Sequence, residues 1–217
     1  MARIVLDGSF LCSGALVNTT EPSGTPLFLT ANHCYATVQE INASVFYFNY
    51  ESQTCNKGDD GEINHIVEGA IPIASHPDTD FELIQLNARV PSSYRPFFAG
   101  WARDGLVTNS TVIHHPLGFP KKISSSNNPA TTNIDPLNFI LPNFTTITLP
   151  PGHVWSIPFD EEVLQGGSSG APLFNQDQRI VGQVVGGQPG CPDENPRFMR
   201  FGRFDISWWY VLYQSHG

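Results

Sequence analysis

The 217-residue chain carries 20 acidic against 11 basic residues, a formal charge of −9, which disfavours nucleic acid and anionic membrane as partners. Only 14% of residues are charged, while glycines number 19 and prolines 18, so a turn-rich β protein is expected and long helices laced with ion pairs are not. No apolar run nears the roughly 18 residues that span a bilayer, and the opening MARIVLDGSFLC reads as a start placed on a trimmed domain, not as a signal peptide.

Short segments rich in β-branched and aromatic residues follow one another between turn signals: ARIVL (2–6), PLFLTA (26–31), ASVFYFNY (43–50), HIVEGAIPIA (65–74), FELIQL (81–86), STVIHH (110–115), TTITL (145–149), APLF (171–174) and RIVGQVVGG (179–187). That cadence predicts a sandwich or closed barrels. ARVPSSYRPF (88–97), with two prolines and no periodicity, is the expected linker between two β halves. Only the tail DISWWYVLYQS (205–215) has helical spacing, with Asp205 as its cap and Ile206, Trp209, Tyr210 and Tyr213 on one face. The aromatic runs VFYFNY (45–50) and SWWYVLY (207–213) are expected in the core.

Three stretches carry chemistry together. FLTANHC (28–34) ends an apolar strand in His33, DTDFELIQL (78–86) places Asp80 before an alternating strand, and GGSSGAPLF (166–174) sets two serines among glycines. A hydroxyl is a poor nucleophile until an imidazole accepts its proton, and the imidazole needs a carboxylate to fix its tautomer. Glycines beside the serine let backbone amides converge on a developing oxyanion. Ser168 and Asp78 are the rival nucleophile and acid. His114 and His115 invite a metal reading with His65 or His76, but adjacent strand residues point to opposite faces, so a structural role is preferred and no metal is expected.

These stretches resemble the trypsin/chymotrypsin-like serine proteases: TANHC (30–34) matches a Thr-Ala-Ala-His-Cys run and GSSGAP (167–172) a Gly-Asp-Ser-Gly-Gly-Pro run, in the same order. FNYESQTC (48–55), DFELIQLN (80–87), FFAGW (97–101), IHHPLGFPKKIS (113–124), GGSSGAPLF and VGQVVGG (181–187) are similar to segments of the bacterial lysyl endopeptidase branch. The resemblance implies Ser169 as nucleophile, His33 as base, Asp80 as orienting acid, and the amides of Gly167 and Ser169 as oxyanion hole. It implies two six-stranded antiparallel β-barrels, residues 1–95 and 96–217, with a C-terminal helix and the site in the cleft between them. The implied protein is a monomeric serine endopeptidase acting on polypeptides without a cofactor. A catalytically silent binding protein and an esterase are the competing readings; the esterase lacks a Gly-x-Ser-x-Gly elbow.

The chain also departs from the pattern. Ser168 stands where trypsin-like enzymes carry an aspartate that pairs with a newly cut N-terminus, so the site must be shaped another way. Lysyl endopeptidases bind lysine through an acidic residue where this chain has Met199, and line the pocket with a histidine where it has Val185. With Val163, Val185, Gly186 and Met199 as the expected substrate-binding positions, lysine is not the expected preference, unless Asp193 or Glu194 is delivered by a shifted loop. The resemblance pairs Cys12 with Cys34 and leaves Cys55 and Cys191 without their expected partners, either as free thiols or because the chain is a fragment of a longer mature protein, the second being preferred for a secreted domain. The cysteines, the resemblance and the sequons at Asn18, Asn42, Asn109 and Asn143 point to secretion.

Overall fold

The computed structural model describes residues 1–20, 24–54, 61–104, 106–141, 144–159, 164–187 and 197–214, the last three by their backbone. The first half holds strands β1 (Ala2–Leu6), β2 (Phe10–Leu16), β3 (Leu27–Ala31), β4 (Val45–Phe48), β5 (Ile66–Glu68), β6 (Ala70–His76) and β7 (Phe81–Leu86), with a short helix α1 (Val38–Ala43). Their order in the sheet is β5-β4-β1-β2-β3-β7-β6, antiparallel throughout. The two ends of that order, β5 and β6, are consecutive in the chain and separated only by Gly69. The sheet must therefore curl until its edges meet. Gly69 turns this corner at φ +72°, where an added Cβ would lie 2.8 Å from the Asn42 carbonyl oxygen.

The second half repeats the arrangement with β8 (Ser110–His114), β9 (Lys122–Ser126), β10 (Thr131–Thr132), β11 (Leu137–Ile140), β12 (Thr146–Leu149), β13 (Val154–Phe159), β14 (Pro172–Asn175), β15 (Ile180–Gly187) and β16 (Arg197–Arg203). Its sheet runs β10-β13-β16-β15-β14-β8-β9, and β11 and β12 form a separate hairpin. Each sheet counts seven strands because Gly69 divides the 65–74 run in two and the two-residue β10 edges the second. The 88–97 stretch runs between the sheets and holds a single helical turn, Ser92–Tyr94.

Each sheet wraps its own core, Phe28, Phe46, Ile84 and Leu86 in the first and Ile157, Phe159, Leu173 and Phe201 in the second. A third cluster joins them: Leu29 and Phe81 from the first half meet Ile180 and Phe204 from the second. Phe204 opens the C-terminal helix α2 (Phe204–Gln214), which lays Phe204, Trp208 and Val211 on that junction. The expected face is thus the wrong one: Trp209 is 63% exposed and Tyr210 38%. The helix is apolar nearly all round, so its spacing fits two stripes, and the packed one begins a residue before the expected start. Asp205 lies inside the first turn and pairs with Arg203 (2.5 Å) instead of capping. The Tyr213 side chain lies outside the described residues.

Candidate active site

β3 and β7 are neighbours whose register pairs Ala31 with Phe81, so the residues just beyond Ala31 and just before Phe81 emerge at the same end of the first barrel. His33 sits there on the single helical turn Asn32–Cys34. Asp80 sits opposite, after the helical turn Pro77–Thr79, in the left-handed conformation (φ 56°, ψ 31°). A non-glycine residue there is strained by about 1–2 kcal/mol. The surroundings hold it: the Asn32 N–H donates to the Asp80 carbonyl (2.9 Å) and the Asp80 N–H to Pro77 (3.0 Å). The buried carboxylate accepts the His33 backbone N–H at Oδ1 (2.8 Å) and faces Nδ1 of the ring with Oδ2 (2.6 Å). Burial works against the imidazolium, the charge and hydrogen bond of Asp80 work for it and prevail, and the His33 pKa stands above its ordinary value. Asp78, the rival acid, belongs to the preceding helical turn and is exposed.

The second barrel presents Ser169 on the loop ahead of β14, with Oγ 2.8 Å from Nε2 of His33. Hydrogen bonds fix the direction of the loop's peptides. The carbonyl of Gly166 takes the Leu117 N–H (2.6 Å), so in a trans peptide the Gly167 N–H points the opposite way. The carbonyl of Ser168 takes the Ala171 N–H (3.0 Å), which turns the Ser169 N–H outward in the same manner. Among the described residues neither amide has an acceptor. Gly167 (φ +88°) and Gly170 (φ +79°) make the bend possible, and space demands them too: a Cβ on Gly170 would sit 2.3 Å from Thr30 Oγ1 and 2.5 Å from the Ser13 carbonyl.

Several supporting groups escaped the sequence reading. Ser13 of β2 donates its hydroxyl to the Gly167 carbonyl (2.8 Å) and accepts the His115 N–H (3.0 Å), while its own N–H donates to Ser169 (2.8 Å). Gln183 of β15 donates to the Thr79 carbonyl (2.8 Å), so the second barrel steadies the turn ahead of Asp80. Glu82, buried on the core-facing parity of β7, accepts the Asn32 amide (2.8 Å), and burial pushes its carboxyl up to about 7. A charged residue in register with Ile84 and Leu86 was the one signal the sequence offered for it. Cys12 and Cys34 form a disulfide that ties β2 to the turn bearing His33.

The four histidines considered for a metal occupy separate places: His65 meets Asn49, His76 meets Thr79, His115 donates toward Phe119, and His114 bridges Ser168 and Ser124. Among the described residues no three metal-ligating side chains converge. Of the specificity candidates, Met199 is buried with its thioether against Gly187, Val185 is buried beneath the β11–β12 hairpin with Leu149 and Val154, and Gly186 faces the ring of Phe139. Val163, Asp193, Glu194, Cys55, Cys191 and Asn143 lie outside the described residues.

The family described as lysyl endopeptidase, C-terminal domain, matches residues 1–199. The lysyl endopeptidase of Pseudomonas aeruginosa is 28% identical over 194 residues, which take in 85% of this chain and 38% of that protein. The chain thus spans well under half the length of that relative. Among solved structures, a thermostable serine protease from an extremophilic microorganism matches with a TM-score of 0.64 at 16% identity, over 97% of this chain and 93% of the other. The active form of a protease from M. tuberculosis matches with a TM-score of 0.56 at 18% identity, over 98% and 78%. At such identities the likeness speaks for the fold.

Proposed function

Because the chain belongs to the lysyl endopeptidase C-terminal domain family, we propose that it is a serine endopeptidase that cleaves polypeptides through an acyl-enzyme. The observation that carries this reading is the unbroken hydrogen-bonded line from Ser169 Oγ through His33 to Asp80. Ser169 Oγ attacks the scissile carbonyl as His33 Nε2 takes its proton. Asp80 keeps the Nδ1–H tautomer and stabilises the imidazolium. The amides of Gly167 and Ser169 receive the oxyanion. His33 then hands the proton to the leaving amine, and water repeats the sequence to free the acid. The half comprising residues 1–95 supplies base and acid and the half comprising 96–217 supplies nucleophile and donors; no cofactor enters. Met199, standing where the family resemblance calls for an acidic residue and itself buried in the apolar core of the second half, supports a preference for an uncharged or apolar residue before the scissile bond, since a lysine ammonium would find no carboxylate at that position. The Cys12–Cys34 disulfide fits secretion into an oxidising compartment.

An organofluorophosphate should form a single adduct, on Ser169, and Ser169→Ala should abolish it and lower peptidase activity on the order of 10⁶-fold. No adduct on the parent protein overturns the reading in favour of a silent binding protein. Cleavage sites mapped on a denatured proteome test the specificity, and a strong lysine preference would refute it.

A further inference from the structure

Ser168 holds the position between the two amides assigned to the oxyanion, and its side chain does not face the substrate cleft. It is 1% exposed, and its hydroxyl meets Nδ1 of His114 at 2.8 Å. The far nitrogen of that ring, Nε2, meets Ser124 Oγ on β9 at 2.9 Å. His114 and Ser124 are likewise buried, at 1% and 3% exposure. Ser168 Oγ also accepts the Gln165 N–H (3.2 Å), and the Ser168 N–H returns to the Gln165 carbonyl (2.9 Å), so the tie closes the whole 165–168 bend. A neutral imidazole offers one donor and one acceptor, and two flanking hydroxyls use both, whichever way the protons run. Burial pushes the His114 pKa down to about 4, which keeps the ring neutral at ordinary pH.

We propose that His114 is a positioning residue for the reaction: through Ser168 it locks the loop that carries Ser169 and the two oxyanion donors, in place of an ion pair to a buried charge. The geometry is specific in two respects. Residue 168 supplies the carbonyl of the peptide that carries the Ser169 N–H, and its two bonds to Gln165 close the bend that contains the 166–167 peptide, so fixing its side chain constrains the first donor directly and the Gly167 donor through the bend. The loop is otherwise rich in glycine, at Gly166, Gly167 and Gly170, and Ser13 and Leu117 hold it at backbone carbonyls alone, so the Ser168 hydroxyl is its side-chain anchor. A device built from neutral groups is complete once the barrel folds and calls for no new chain terminus.

The inference rests on Ser169 being the nucleophile, and the test separates the two claims. Ser168→Ala, His114→Gln and the milder Ser124→Ala are compared with the parent on a peptide amide substrate. Binding of a peptide boronic acid, which mimics the tetrahedral intermediate, is compared with binding of the matching product peptide. Ser168→Ala and His114→Gln should each lower kcat about 10- to 100-fold with KM within twofold, and boronate affinity should fall by a similar factor while product affinity stays. Ser124→Ala should follow the same pattern at two- to fivefold, and the double variant of Ser168 and His114 should be little worse than either single. Retention of kcat within twofold in the variants, or losses that fall on KM and product binding, overturns the proposal while the protease reading stands. Absence of fluorophosphate labelling in the parent removes the protease reading itself.

Discussion

At the end of the first barrel a charge orients a ring: Asp80, buried and backbone-strained, grips His33 at both its amide and its Nδ1. On the second barrel the loop that carries Ser169 is held by neutral groups, namely Ser13, His114, Gly170 fitted against β2 and β3, and Gly167 fitted against the backbone of residues 115–118. The His33–Asp80 pair is a local product of adjacent strand ends. The Ser169 loop is assembled from both barrels, since Ser13 and Thr30 belong to the first. Electrostatics governs one side and steric fit with hydrogen-bond satisfaction the other, so the two should fail differently.

The largest effect is expected on the charged side. Asp80→Asn keeps the shape, favours the wrong imidazole tautomer, and should lower kcat about 10⁴-fold with the fold intact; Asp78→Asn should leave kcat within twofold. Steady-state kinetics on both variants checks this, and equal losses would mean that the acid has been misassigned. The neutral side should fail by displacement. Gly170→Ala puts a Cβ against Thr30 Oγ1 and two backbone atoms and forces a left-handed alanine, for a loss of about 2–5 kcal/mol in unfolding free energy. Titration with fluorophosphate should find few competent sites even in folded protein. Ser13→Ala is milder. It strands the buried His115 N–H, for about 1–3 kcal/mol, and a denaturation midpoint unchanged from the parent would show that the loop does not depend on the first barrel.

The same contrast explains what could be read from the sequence. His33, Asp80 and Ser169 stand in short runs whose residue types state the chemistry locally, and six ordered segments made the family visible. The neutral supports did not declare themselves. Ser13 and Gln183 act across 154 and 104 residues, on Gly167 and Thr79, through registers that only closed barrels create. β2 itself went unseen because Ser13 and Gly14 look like turn residues. Their smallness is required, since a Cβ on Gly14 would lie 2.2 Å from the Phe28 ring. The buried face of α2 was misread for the opposite reason, an excess of apolar residues.

The finest test of the comparison is the acid limb of the pH profile. Two opposed influences act on His33: burial, which lowers its pKa, and Asp80, which raises it and wins. The base must be neutral to accept the Ser169 proton, so kcat/KM should fall on acidification with a midpoint above the ordinary histidine value of about 6.5. A pKa raised by folding also contributes stability, fully present below the unfolded value and lost as pH rises through the folded one. In Asp80→Asn burial remains and the charge is gone, so the midpoint should drop below about 6.5 and the stability slope across that window should reverse. NMR titration of the His33 ring in Ser169→Ala, with and without Asp80→Asn, measures both values free of turnover. No comparable shift should follow Ser13→Ala, because the supports of the Ser169 loop carry no charge to the ring; an equal shift there would erase the division between a charged and a neutral side of the site.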